Sequence, residues 1–350
     1  MISAHQTEST QPVEVADIFR RYGRSYRKTK PISGKQGAVM YCIENCRTAV
    51  FGHHLDQCDH CGHTDSDYNS CRDRHCPKCQ SIARKKWINA QLNDILPVPH
   101  YHVIFTLPNQ LHNLLCYNQK LLFDVLFSSS AQTLQAFGRD PKWLGGELGF
   151  YGVLHTWGQT LWPHPHVHFI VPGGALTTDG RWVAPRYRSK FLFPVRALSK
   201  VFRGKFIEAL KNAYYEDQLV IPDNEAHLAQ ADSFEKWLNQ LVSRDWVVYC
   251  KRPFGSAEQV VRYIGRYTHR VAISNRRIEA MGDGKVAFWY KDYRKNRIKS
   301  RQMKLDAEEF IRRFLWHVLP KRYHKIRHYG FLANSCRKAR VSQIRSLLQI

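Results

Sequence analysis

The alternation of apolar and polar positions divides this chain into short stretches of strand and helix character. YHVIFTLP, residues 101–108, has the aromatic and β-branched residues of a strand, stopped by Pro108. GFYGVLHTWGQTL at 149–161 and HVHFIV at 166–171 read as two more strands. The turn-prone WPHP at 162–165 separates them, which makes antiparallel neighbours of the pair, and PGG at 172–174 closes the second. WVVYCK at 246–251 returns to strand character, and Asp283-Gly284 inside RRIEAMGDGKVAFWYKDY signals a hairpin.

Other segments follow a helical period. SIARKKWINAQLNDIL, residues 81–96, turns Ile82, Trp87, Ile88, Leu92 and Leu96 to one side before Pro97 and Pro99 end it. LHNLLCYNQKLLFDVLF at 111–127 is apolar at helical spacing, with Cys116 read as core. Two helices are expected around 197–242, and a last amphipathic one at 308–319 precedes the basic and aromatic PKRYHKIRHYG. SAEQVVRYIGRYTHRVA opens with Ser256 as a helix cap and Glu258 in the first turn; Gly265 weakens this helix without having to break it. Near the N-terminus, FRRYGRSYRKTK reads either as a short helix lying on DNA or as a solvated arm. No internal repeat or low-complexity tract is found.

Composition narrows the function. With 43% of its 350 residues hydrophobic, the chain can bury a sizeable core beside a smaller module. Lys and Arg total 53 against 29 Asp and Glu, a formal charge of +24 spread along the chain, so the expected partner is a polyanion, most simply nucleic acid. A membrane is the competing partner, but no run reaches the roughly 18 apolar residues of a spanning helix. The start, MISAHQTESTQPVEV, lacks the order of a secretory signal, which leads to the expectation of a cytoplasmic protein working at the DNA.

Seven of the ten cysteines fall between Cys42 and Cys79, a clustering that suits a local metal site in a reducing compartment better than a disulfide scaffold. Residues 41–80 are also too poor in aliphatics to pack unaided, so metal must supply the missing core. Cys58-x2-Cys61 and Cys76-x2-Cys79 are two knuckles; Cys46, Cys71, His54 and His75 complete a set of eight structural ligands, enough for one or two tetrahedral Zn2+ ions. Cys42 is an alternative to Cys46, and His53, His60 and His63 are spare. Around them Arg47, Arg72, Arg74, Lys78, Arg84, Lys85 and Lys86 form either a solvated basic face or, the preferred reading, a platform for DNA phosphates.

In His166-Val167-His168 the period of a strand sends both imidazoles to one face. Neutral imidazoles near one another hold a divalent ion when a third ligand joins them, although Mg2+ itself usually prefers oxygen. His155 is the first choice for that third ligand and Gln159 the next, since both share a face of the preceding strand; His164 and His102 are reserves. Alone, H-x-H is more often structural or incidental than a metal site. Tyr263-x3-Tyr267 adds to it, because four residues on a helix place both phenols one turn apart on the same face. The alternative for this pair is packing at a core edge. A phenol with its pKa of about 10 needs metal or cationic help to attack phosphate, and Arg262, Arg266, His269 and Arg270 stand ready as phosphate contacts. These parts predict attack by tyrosine on a metal-polarised phosphate, a 5′-phosphotyrosyl link and a free 3′-OH, without ATP; no GxxxxGK[ST] loop occurs.

The order CRTAVFGHHLDQCDHCG, SCRDRHCPKCQ, HVIFTLP, HTWGQTLWPHPHVHFIVPGG, YIGRYTHRVAISNRRI and RRFLWHVLPKRYHKIRHYGFL resembles the two-tyrosine rolling-circle transposases of bacterial insertion sequences, over about residues 25–335. The resemblance implies an α+β fold: an HUH-nuclease core with a central antiparallel sheet and flanking helices, preceded by a small Cys/His zinc-binding module. On that basis the domains are a basic leader at 1–40, the zinc module at 41–80, a connecting helix at 81–98, the catalytic domain at 99–307 and a basic helical region at 308–350. It further implies that His166 and His168 bind a catalytic Mg2+ or Mn2+, that Tyr263 and Tyr267 are the family's tyrosines, and that the substrates are single-stranded or hairpin DNA at element ends and target DNA. We expect Tyr263 to attack first and Tyr267 to act as the alternate acceptor. Lys321, Arg322, Lys325 and Arg327 join the expected DNA contacts; homo-oligomerisation stays open.

Two rival readings make different predictions. A plasmid- or phage-type replication initiator or mobilisation nuclease would make the same cut at an origin and would not join two element ends. A zinc-dependent DNA-binding regulator would bind tightly without cleaving.

Overall fold

The structure is a computed structural model that describes residues 12–185, 192–251, 255–269, 272–293 and 299–349. Arg270 and the side chains of Arg266 and Tyr267 lie outside the described residues. From the N-terminus come α1 (Val15–Thr29), α2 (Gly34–Glu44), β1 (His53–Gln57), β2 (Thr64–Tyr68) and α3 (Gln80–Asn93). The middle holds β3 (His100–Thr106), α4 (His112–Tyr117), α5 (Gln119–Arg139), β4 (Gly149–Trp157), β5 (Pro163–Pro172), β6 (Ala175–Leu176) and β7 (Trp182–Val183). Next are α6 (Val195–Tyr215), α7 (Ala231–Val242), β8 (Val248–Lys251) and α8 (Ala257–Thr268). The chain continues through β9 (Ile278–Gly282), β10 (Lys285–Asp292), β11 (Lys299–Asp306), α9 (Ala307–Trp316), β12 (Ile326–Gly330) and α10 (Arg337–Leu347).

Two compact units result. The first combines Met1–Ser81, Trp157–Trp162 and Arg270–Val318. The basic run read as helix or arm is α1, whose Val15, Ile18, Phe19 and Tyr26 are buried while its arginines stay outside. Phe19 meets Phe314 of α9 edge-on at 5.2 Å. Ser33 and Gln36 cap α2 reciprocally, side chain to backbone, and so satisfy two donors at its start. Asp283 and Gly284 both take positive φ, 49° and 70°, as a two-residue hairpin turn requires, and join β9 to β10 in the antiparallel order β11-β10-β9. By contrast, all ten residues of the β1–β2 ribbon are exposed.

The second unit comprises Ile82–Thr156, Pro163–His269 and Leu319–Ile350. Its centre is a five-stranded sheet in the order β12-β4-β5-β3-β8, antiparallel at each recorded register. Residues 163, 165, 167, 169 and 171 of β5 are all buried; Phe169 among them meets Phe105 and Phe150 at 5.9 and 5.3 Å. α5, α6 and α7 cover this side with Phe123, Phe127, Phe202, Phe206 and Phe234, each fully buried and contributing about 1.5–3 kcal/mol of transfer free energy. The opposite face packs Ile170, Tyr151 and Val153 against Val260 and Ile264 of α8 and Ile344 of α10. Among the described residues, no helix is long and apolar enough to cross a membrane.

Three expectations need correction. WPHP is not the turn: Gly158 donates to the Trp162 carbonyl at 2.8 Å, Leu161 takes φ 61°, and the strand begins at Pro163. Proline's φ suits an extended chain, and the Pro165 carbonyl still accepts from Leu107 N at 3.1 Å, so only its missing N–H is lost to pairing. The helix at 111–127 breaks at Asn118, whose side chain donates to the Leu114 carbonyl and accepts from Val220 N. Residues 326–330, within a region expected to be helical, form β12 beside β4.

Candidate metal centres and active site

The first centre lies in the first unit. Cys46 follows α2, Cys71 follows β2, and Cys76 and Cys79 bracket a tight turn in which Cys79 N donates to the Cys76 carbonyl. Their four sulfurs lie within 4.8 Å of one another, with Cys46–Cys79 at 3.3 Å and Cys71–Cys79 at 3.6 Å. Four sulfurs around one tetrahedral Zn2+ would stand about 3.8 Å apart, so the donor set fits that ion. The neighbouring sulfurs and burial push the Cys76 thiol far up, whereas hydrogen bonds from Cys71 and Cys76 hold Cys79 far down. Such a crowd cannot shed all its protons without a cation in its midst.

Of the eight residues read as zinc ligands, these four come together and the other four do not join them. Cys58 and Cys61 are exposed at the tip of the β1–β2 ribbon, where Cys58 N donates to the His63 carbonyl at 2.8 Å and Gly62 N to the Cys58 carbonyl at 2.9 Å. His54 groups with Asp56 of its own strand and with Asp67 directly across the ribbon. His75 is buried and shares a hydrogen bond with Asp73 through Nδ1 at 2.9 Å.

The second centre is on the sheet of the second unit. His166 and His168 stand on β5 opposite Thr106 and Ile104 of β3, and His155 stands on β4. Ligand nitrogens of all three lie within 4.8 Å of one another; the His155 and His168 ring centroids are 4.3 Å apart and those of His166 and His168 4.7 Å. His166 Nδ1–H donates to the His164 carbonyl at 2.5 Å, which leaves Nε2 as the lone-pair nitrogen. His168 shares a 2.7 Å hydrogen bond between its Nδ1 and His102 Nε2, while its buried Nε2 has no hydrogen-bond partner among the described residues. Burial, with neighbouring His164 and His102, pushes His166 down to about 3; burial, with His155 and His166, holds His168 well below the usual range. A group of three imidazoles with an orphaned nitrogen fits a divalent cation, more readily Mn2+ than Mg2+.

Of the two candidates for third ligand, His155 is in this group. Gln159 lies beyond the end of β4, in the first unit, where its side-chain oxygen accepts from Lys291 N at 3.4 Å and its carbonyl accepts from Arg277. The reserves separate as well: the His164 ring lies tilted beside that of His166, 4.8 Å between centroids, and His102 is bound to His168.

The tyrosine helix α8 lies on the histidine face of the sheet. Ser256 Oγ accepts from Gln259 N at 3.3 Å, and Val260 and Ile264 point into the core, which turns Tyr263 along the helix edge, 36% exposed. The Tyr263 ring stands 6.1 Å from the ring of His102. Gly265 is required by close packing: a Cβ there would lie 2.4 Å from Ile88 of α3. Tyr267 falls one turn further on, its side chain outside the described residues.

The predicted DNA contacts divide. Arg84 and Lys325 both act on His269, which burial and these two cations push down to about 4. Arg47, Arg72, Lys85, Lys321 and Arg322 are exposed, and Arg74 is half-buried beside Asp73. Arg262 pairs with Glu258 at 2.7 Å, Lys78 pairs with Glu14, and Arg327 pairs with Asp124 while lying over Phe127 at 4.4 Å. Sequence reading gave no role to His112, buried with Nε2 lacking a hydrogen bond among the described residues, or to Lys251, directly across from His102 on β8. The His100-x-His102 alternation on β3 was the available signal for the first strand's contribution.

Comparison with known proteins identifies the family of the chain. A family described as "Putative transposase" matches residues 149–340, and one described as "Transposase zinc-binding domain" matches residues 18–107. "Putative transposase y4qJ" of Sinorhizobium fredii (strain NBRC 101917 / NGR234) is 47% identical over 337 residues, 96% of this chain and 84% of that protein. "Transposase for insertion sequence element IS801" of Pseudomonas savastanoi pv. phaseolicola is 30% identical over 292 residues, 83% of this chain and 68% of that protein. No solved structure matches the chain. The chain belongs to the two-tyrosine rolling-circle transposases of bacterial insertion sequences, with an N-terminal transposase zinc-binding domain.

Proposed function

We propose that this transposase nicks and rejoins single-stranded DNA at insertion-sequence ends through a 5′-phosphotyrosine link, using a divalent ion held by His155, His166 and His168. The grouping of three imidazoles on β4 and β5, beside the helix that carries Tyr263, is the observation that carries this reading. Bound there, Mn2+ or Mg2+ would polarise a phosphate oxygen and offset the charge that develops on it. Tyr263 Oη gives up its proton and attacks phosphorus, the bond from phosphorus to the 3′ oxygen breaks, and the departing 3′ oxygen takes up a proton, so that none is gained or lost overall. Tyr267, one turn along α8, acts as the alternate acceptor when the second strand arrives. Arg84 and Lys325, close enough together to act jointly on His269, hold flanking phosphates. Cys46, Cys71, Cys76 and Cys79 hold a structural Zn2+ that organises the N-terminal module.

The test is covalent capture. Full-length protein, Mn2+ and a single-stranded oligonucleotide bearing the element end should yield a protein–DNA adduct, mapped by mass spectrometry to Tyr263. Tyr263→Phe should abolish the first adduct and Tyr267→Phe should spare it. An adduct on any other residue type, or strand cleavage with no adduct at all, overturns the mechanism.

A further inference from the structure

We propose that His102 is a positioning residue which sets the metal-binding form of His168 and braces Tyr263, so that one buried ring links the ion's ligand to the attacking group. The inference rests on the reading of His155, His166 and His168 as ligands. His102 sits on β3 two residues before Ile104, the residue directly opposite His168, and is therefore its diagonal neighbour across the strand pair. The two rings are nearly coplanar, 14° apart, with His102 Nε2 2.7 Å from His168 Nδ1. That arrangement is an in-plane hydrogen bond, and it commits His102 Nε2 to His168 instead of to a cation.

A chemical consequence follows for His168. Its Nε2, buried and without a hydrogen bond among the described residues, can donate a lone pair to an ion only if the proton of the neutral ring is on Nδ1. His168 Nδ1–H must then donate to His102 Nε2, and His102 must carry its own proton on Nδ1. Partners of this kind usually fix both tautomer and ring orientation of a ligating histidine. Here the acceptor is a neutral imidazole instead of a carboxylate or carbonyl, which allows the same ring to serve a second contact. The Tyr263 ring meets His102 at 6.1 Å and 67°, an edge-to-face contact that limits where the phenol can swing. His102 is 3% exposed and hence held in place by its surroundings, whereas Tyr263 is 36% exposed.

Two substitutions separate the two contacts. His102→Phe keeps a ring for Tyr263 but offers no acceptor to His168; His102→Gln keeps a carbonyl acceptor but removes the ring. Mn2+ titration of the full-length chain, followed by electron paramagnetic resonance, should show affinity lower by about 10- to 100-fold in His102→Phe and unchanged in His102→Gln. Single-turnover cleavage at saturating Mn2+ should slow by about tenfold or more in His102→Gln with DNA affinity unchanged. His100→Gln, at a buried histidine on the same strand that bonds the Val98 carbonyl instead, should change neither readout, so that general loosening of β3 is recognised. The native protein provides a reading free of mutational damage: long-range 15N NMR with Mg2+ bound should find His168 protonated at Nδ1 and His102 unprotonated at Nε2. The reverse proton pattern, native Mn2+ affinity in His102→Phe, or native cleavage in His102→Gln each overturns the proposal. His168→Gln should abolish Mn2+ binding; if it does not, the ligand reading falls as well, whereas its success beside an indifferent His102 defeats only the positioning role.

Discussion

The thiol centre and the imidazole centre are assembled in opposite ways. Cys46, Cys71, Cys76 and Cys79 come from the end of a helix, a loop and a tight turn, and no ladder of hydrogen bonds sets their spacing. His155, His166 and His168 stand on adjacent strands of a sheet whose register is fixed by pairing and by a phenylalanine-rich core behind it. The first centre should therefore create its local fold and the second should be created by it. A ligand lost from the thiol set ought to cost structure, and one lost from the imidazole set ought to cost function.

The largest effect is expected at Cys76, buried at 1% exposure among the other sulfurs. In small zinc modules, metal binding supplies about 10 kcal/mol or more of the folding free energy, and a three-ligand site forfeits much of it. Cys76→Ser should release the zinc and abolish cooperative unfolding of the first unit, read by metal analysis and by hydrogen exchange over residues 34–80. Retained zinc with native protection would erase the contrast.

His155→Ala tests the other side. The substitution empties a buried site next to one strand, yet the sheet keeps its neighbours. Loss of one ligand should slow cleavage on the order of 10²–10³-fold, since the ion's charge stabilisation is worth several kcal/mol. Far-ultraviolet circular dichroism should stay native, and added Mn2+ should restore part of the rate. Unfolding of the chain would show that this centre, too, is structural.

Much of this contrast was legible in the sequence, for physical reasons that differ by site. The period of a strand put His166 and His168 on one face, and the same parity on the preceding strand selected His155. Parity also selected Gln159, but it predicts facing only while the strand lasts; the chain leaves β4 at Trp157 and turns through Leu161. Spacing alone could not separate the two knuckles, because C-x2-C encodes a turn and says nothing of which other ligands arrive. Charge hid β12, since a strand covering the edge of a sheet tolerates Arg327 and His328 where a central one would not. His102 was visible as a reserve ligand, but its hydrogen bond to His168 depends on the β3–β5 register, which no local pattern reveals.

A buried imidazole that belongs to neither ligand set sharpens the comparison through pH. His317 in the first unit is 2% exposed and shares a hydrogen bond with the Leu161 carbonyl at 3.1 Å. Burial pushes it down to about 4, against the bond to Leu161, which raises it. The unfolded chain takes up this proton near pH 6.5 and the folded chain only near 4, so the unfolded state binds more protons throughout that window. Stability is thus fully present above pH 6.5 and falls as the pH drops to 4, by about 3 kcal/mol for this residue. Acid-protonated thiols contribute a loss of the same sign, so the informative quantity is a difference: in urea titrations at pH 7 and pH 4.5, His317→Gln should lose less stability on acidification than the native chain. An identical acid slope in both proteins would remove burial of His317 as a cause.

The smallest effect is expected at the second knuckle, where the sequence motif is the same and the surroundings are not. Cys58 and Cys61 are exposed, and among the described residues no two further Cys, His or carboxylate ligands join them as Cys46 and Cys71 join Cys76 and Cys79. Backbone N–H groups of Cys61 and His60 already lower the Cys58 thiol, so the turn exists without an ion to hold it. Two thiolates in water bind zinc far less firmly than four in a buried set, because the remaining positions stay with solvent. Cys58→Ser should therefore leave the tightly held zinc at one per chain after dialysis against a mild chelator, and should shift the unfolding midpoint by no more than about 0.5 kcal/mol, as at other surface positions. A native chain that retains two zinc ions under the same dialysis, with one lost in Cys58→Ser, would show that the ribbon tip acquires ligands beyond its own two cysteines and would move this knuckle to the structure-making side of the comparison.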